Sequence, residues 1–144
     1  MLALLRPDSW NLPLFLHVLG ATILVGAVAA TLVLAASSQR RPWLRAIALR
    51  TMLVVVIPAW LLMRLPGQWE DSRSSIGDGQ GWLGVGYIVG DAGVVFLVLT
   101  SIFAWLGARK RERRWPGQAV AVLAAIYLAA LLVAMFAMSA KPGS

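Results

Sequence analysis

Leu12-Pro13-Leu14-Phe15-Leu16-His17-Val18-Leu19-Gly20-Ala21-Thr22 opens a stretch that runs on through Val25-Gly26-Ala27 to Ala36 without one Asp, Glu, Lys or Arg. A helix rises 1.5 Å per residue, so about 20 apolar residues cross a ~30 Å hydrocarbon core, and this stretch exceeds that length. Pro13 suits a first helical turn, where its missing N–H costs little. The stretch carries the single histidine of the chain. Helical spacing puts Gly20, Ala21, Ala27 and Thr31 on the face of His17. These side chains are small and let a neighbouring helix or a flat ligand come close.

Outward from that stretch the same pattern recurs. The 144 residues are 60% hydrophobic and only 13% charged, where a soluble domain carries about a quarter charged. Three further apolar runs, near 46–64, 82–107 and 118–140, join the first at 12–36. The expected fold is all-α: one transmembrane domain, an integral membrane four-helix up-down bundle. A signal peptide does not fit the first run, which is much longer than a 7–15-residue h-region and has only Arg6 before it. Pro58 interrupts the second run and should kink it. The residues 65–80, rich in Gly, Ser and acids, read as a polar loop. The absence of cysteine excludes disulfides, thiolate metal sites and cysteine nucleophiles.

The charge is one-sided. Arg40, Arg41, Arg45, Arg50, Arg109, Lys110, Arg111, Arg113 and Arg114 flank two of the connections. Only Arg6, Arg64, Arg73 and Lys141 lie toward the other side. The positive-inside rule then expects both basic connections in the cytoplasm and both termini outside, in a bacterial-type cytoplasmic membrane. The net charge of +7 is thus a topology signal. It is not a nucleic-acid footprint, because the clusters are short turns without a recognition module. The partners expected are the lipid bilayer, with generic attraction to anionic lipid, and a membrane-protein partner or a second copy of the chain.

A shift of 70 residues lays His17-Val18-Leu19-Gly20-Ala21 over Tyr87-Ile88-Val89-Gly90-Asp91. Two tandem hairpins related by a pseudo-twofold axis would place His17 and Tyr87 at matching depth, with Asp91 one turn deeper. An ionisable group inside a span is costly and points to function. His17 can ligate a metal or haem, relay protons or hold two helices together through a carbonyl or Asp91. Asp91 can pair with His17, Arg64 or Arg6. Met63, Met138, Met135 and Tyr87 are the candidate second ligands, and Gly20 and Gly90 would admit a flat cofactor. Gly86, Gly90 and Gly93 form a stripe that equally serves close helix packing. The tryptophans, Trp60 included, read as interfacial belts. No serine has the context of a Ser-His-Asp triad. Glu70, Asp71 and Asp78 lack calcium-loop spacing.

With Leu16-His17-Val18-Leu19-Gly20-Ala21 and Val25-Gly26, the first helix resembles a group of small bacterial multi-helix membrane proteins. The group includes an uncharacterised four-helix integral membrane family and, more distantly, HemJ-type protoporphyrinogen oxidases and the CopD copper-resistance membrane domain. The resemblance implies a haem ligand at His17 alone; the chain has no second histidine for bis-histidine haem. The expected function is therefore a haem or related redox-cofactor bundle with its site near His17 in the outward half. The alternative is a non-catalytic accessory subunit or self-associating scaffold, and a small proton-coupled transporter using Asp91 and His17 is a third reading. No catalytic constellation is complete, so an enzymatic activity is neither assigned nor excluded.

Overall fold

The computed structural model describes residues 8–73, 81–110 and 112–140, without the side chains of 8–11, 70, 71, 73 and 81–83. Expectations on Arg6 and on the acids Glu70, Asp71 and Asp78 lie outside the described residues and side chains. The elements are α1 (Asp8–Ser37), α2 (Leu44–Thr51), a π-helical turn (Met52–Val56), α3 (Ile57–Arg73), α4 (Gly81–Arg109) and α5 (Trp115–Ala140). Helix α2, the π turn and α3 follow one another directly as the second span. Four 26-residue stretches, Leu12–Ser37, Leu44–Trp69, Gly84–Arg109 and Trp115–Ala140, are long and apolar enough to cross a membrane. The chain is an all-α four-helix bundle.

Sequential spans are neighbours around the ring. α1 packs on α3 and α5, α5 on α4, and α2 closes the ring against α1 and α4. α1 and α4 therefore lie across a diagonal of the ring. The interior is filled by Leu24 and Val28 of α1, Met52 and Val56 of the π turn, Phe96 and Leu97 of α4, and Ala124 and Tyr127 of α5. Phe96 and Tyr127 stack with ring centroids 4.2 Å apart. The outer surface is apolar, with Val54, Ile88 and Phe136 each at least 70% exposed. Large side chains left bare in this way match a surface solvated by lipid.

Several boundaries differ from the sequence reading. α1 begins at Asp8, so Pro13 lies in its second turn and is buried there. α2 begins at Leu44, which carries Arg45 out of the basic turn and into the bundle. The kink expected at Pro58 takes the form of the π turn just before it: Ile57 N–H reaches the carbonyl of Met52, five residues back. Widening the helix there accommodates a proline ring that would clash with the carbonyl four residues earlier. α3 then continues through Pro66 to Arg73, so the first half of the expected polar loop is helical. Its added turns are held against α1, as the next section describes.

Candidate functional site

The residues singled out in the sequence gather at the end of the bundle opposite the basic connections, spread over all four spans. His17 of α1 stands against α3. Its Nδ1 lies 2.7 Å from the carbonyl oxygen of Met63. A carbonyl can only accept, so Nδ1 is the donor, and in the neutral ring the lone pair resides on Nε2. The ring fits because two glycines make room. A Cβ on Gly67 would fall 2.8 Å from His17 Nδ1. A Cβ on Gly20, one turn along α1, would fall 2.5 Å from the backbone N of Met63 and 2.7 Å from the carbonyl carbon of Leu62. Gly20 thus brings α1 into direct contact with the α3 backbone, and His17 donates across that seam.

The opposite flank of α3 carries different chemistry. Arg64, next in sequence to Met63, reaches Asp91 of α4 with Nη2 2.6 Å from Oδ1. Its guanidinium also lies over the ring of Tyr87 at 5.1 Å. Arg64 is largely covered, at 17% side-chain exposure, while Asp91 is 65% exposed. Of the partners open to Asp91, the structure selects Arg64. His17 bonds to a backbone carbonyl instead. One turn deeper, Trp60 Nε1 donates to the carbonyl of Gly90 at 3.1 Å. Trp60 therefore serves as an interhelical strut and is largely covered, which its reading as an interfacial belt residue missed. Its spacing of four residues before Arg64, on the α4-facing side, was the available signal.

The glycine stripe of α4 accepts side chains. Met138 of α5 lays its terminal methyl over Gly86, Arg64 lies along Gly90, and Trp60 and Tyr127 both press on Gly93. Neither a close backbone crossing nor a bare surface for a flat group is left there. Met63 is drawn into the core beside Leu24 and Ala59, and Met135 is exposed on the outer face. Among the described residues no three His, Asp or Glu side chains converge as a metal cluster.

The site divides into two halves that share one turn of α3. His17, Gly20, Met63 and Gly67 form the α1 half; Arg64, Tyr87, Gly90 and Asp91 form the α4 half. The first offers one tautomer-fixed imidazole, and the second a cation–carboxylate pair over an aromatic ring. Comparisons with protein-family models, with curated proteins and with solved structures found no match to the chain.

Proposed function

We propose that the chain is a small polytopic protein of a bacterial-type cytoplasmic membrane, with both termini outside, and that His17 is the protein ligand of a haem or related redox cofactor at the outward end. The observation that carries this reading is the Nδ1–H bond to the Met63 carbonyl. The same second bond orients metal-bound histidines, because it fixes the tautomer and leaves Nε2 as the donor atom. His17 would be the residue that holds such a group, since Met63 is packed in the core, Met138 rests on Gly86, Met135 is exposed on the outer face and Tyr87 lies under the Arg64 guanidinium. The interior beside Met63 is filled, so an enclosed haem between four helices does not fit. Leu14 and Val18, which adjoin His17 round α1, are exposed and would offer apolar surface to a haem at His17. Such a group, when bound, supplies one-electron chemistry. The chain's contribution is to orient the imidazole and to keep its Nδ1 proton engaged.

The test is an absorbance scan of protein purified from haem-sufficient cells, oxidised and then dithionite-reduced. A Soret band that shifts on reduction, and that His17→Gln abolishes while the protein stays folded, is the expected result. His17→Gln keeps a donor for Met63 and removes the ligand. Absence of a Soret band after hemin addition to folded protein would remove the proposal.

A second reading has its own observation. Three polar bonds centred on one stretch of α3, from His17, Trp60 and Arg64, tie it to α1 and α4. A bundle locked in this way suits a non-catalytic accessory subunit or a self-associating scaffold. Under that reading His17→Gln leaves every measurable property in place, and mild-detergent purification recovers a partner or an oligomer. A proton-coupled transporter is less favoured, because Asp91 is engaged with Arg64 and is not joined to His17.

A further inference from the structure

Asp91 presents its carboxylate on the outer face of α4. Its side chain is 65% exposed, whereas that of Arg64, the cation paired with it, is 17% exposed. The usual order is the reverse, since arginine has the long stem that can carry its charge outward. Here the Arg64 stem lies along bare Gly90, 3.6 Å from where a Cβ would stand. The guanidinium is drawn in over Tyr87, and the short acid is left at the surface.

That surface faces lipid. Asp91 stands seven residues into the apolar stretch Gly84–Arg109, about 10 Å along the helix. Apolar surface continues past it, because Ile88, one turn nearer the outward end, is 70% exposed and Leu65, next to Arg64, is 60% exposed. A carboxylate turned toward lipid is costly unless donors surround it. Among the described residues this one accepts a single hydrogen bond, from Arg64 Nη2 to Oδ1. A carboxylate has about four acceptor sites and a guanidinium five N–H groups, so both partners keep capacity unused.

A charge pair with spare acceptors on one side and spare donors on the other is complementary to itself. Copies inserted in the same sense carry the pair at the same depth, and a twofold axis sets residue i against j and j against i. Helical spacing places Gly84, Ile88, Asp91 and Val95 on one face. A Cβ on Gly84 would meet nothing within 4 Å, so a second helix can come close there. Ile88 and Val95, 70% and 61% exposed, supply apolar contact on either side of the charge.

We infer that the chain forms a twofold dimer along the outer face of α4, closed by a ring of four charges in which each Asp91 accepts from Arg64 of both copies. A second copy is the occupant because it balances these charges with no outside group. The dimer does not depend on a cofactor at His17, which lies on the other flank of α3. It gives the self-associating reading its surface.

The test uses the full chain carrying donor or acceptor fluorophores, reconstituted in liposomes over a range of protein-to-lipid ratios, with energy transfer reporting association. The wild type is expected to dimerise. Asp91→Ala should raise the dissociation constant about tenfold, the worth of two polar contacts between membrane helices. The exchange Arg64→Asp/Asp91→Arg keeps a pair within each copy but reverses its polarity. Exchanged chains should associate with one another and not with the wild type, because both contacts between unlike copies are then between like charges. A pair that acts only within one copy would show no such preference. Should either charge variant fail to fold, Gly84→Leu replaces it: the position is open in the single copy, and the added bulk should prevent dimerisation. A wild type that stays monomeric at every ratio would overturn the inference. So would association that survives Asp91→Ala or Gly84→Leu unchanged, or exchanged chains that pair with the wild type as readily as with themselves. Hemin binding, read on the same samples, separates failure of the dimer from failure of the cofactor proposal.

Discussion

The seam between α1 and α3 and the seam between α3 and α4 both contain glycines, yet they close by different means. At the first, Gly20 lies against the α3 backbone at Leu62 and Met63, and His17 needs only a short reach to donate to Met63. At the second, Trp60 and Arg64 extend across to the Gly90 carbonyl and to Asp91, and Gly90 and Gly93 receive those side chains. A glycine on a helix face therefore signals either backbone contact or a berth for a neighbour's side chain. Only the partner helix decides which. In a bilayer, where burial of apolar surface does not drive helices together, the two arrangements respond to mutation in distinct ways.

The largest effect is expected at the tight seam. Gly20→Val places a branched side chain where the α3 backbone already stands. It should cost about 3 kcal/mol or more, read by unfolding in detergent, because backbone cannot rotate away. Gly93→Ala meets only the side chains of Trp60 and Tyr127, which can shift, and should cost about 1–2 kcal/mol. If the two substitutions proved equally damaging, the distinction between the seams would fail. Removal of the ring by His17→Ala should cost about 1 kcal/mol, the usual worth of an interhelical hydrogen bond in a membrane, with His17→Gln restoring most of it. Gly26 has no atom within 4 Å of a built Cβ, so Gly26→Ala should be neutral or stabilise by up to about 1 kcal/mol through helix propensity. Asp91→Asn comes last, at about 0–1 kcal/mol, because asparagine keeps an acceptor for Arg64 and a single polar contact between membrane helices contributes little more than that. A larger loss at Asp91 would mean that the wide seam depends on charge more than on Trp60.

The four spans are legible in the sequence because their length and lack of charge leave few alternatives. Their details depend on packing that sequence does not carry. Pro58 announces a distortion, but its resolution into a π turn depends on Met52 and Val56 being held in the core. The polar composition after Leu65 conceals that α3 continues, and Gly67 gives the reason by accepting the His17 ring. Arg45 belongs by composition to a basic turn. Its burial requires two glycines, Gly107 and Gly117, from helices distant in the chain. His17 and Asp91 stand out because ionisable groups are rare in spans, whereas Trp60 and Met138 look ordinary until their glycine partners are known. Depth alone marks the candidate second ligands in the sequence, whereas side-chain direction sends Met63 and Met138 elsewhere.

The decisive property of the outward site is which nitrogen of the His17 imidazole carries the proton. Because the chain holds a single histidine, nitrogen-15 NMR of histidine-labelled protein in lipid or detergent reads that ring without assignment. For the neutral ring, a protonated, hydrogen-bonded Nδ1 with an unprotonated Nε2 is the predicted spectrum, with Nε2 alone perturbed when hemin is added. A neutral ring protonated on Nε2 and bare on Nδ1, or one averaging freely between tautomers, would contradict the bond to Met63 and the cofactor reading built on it.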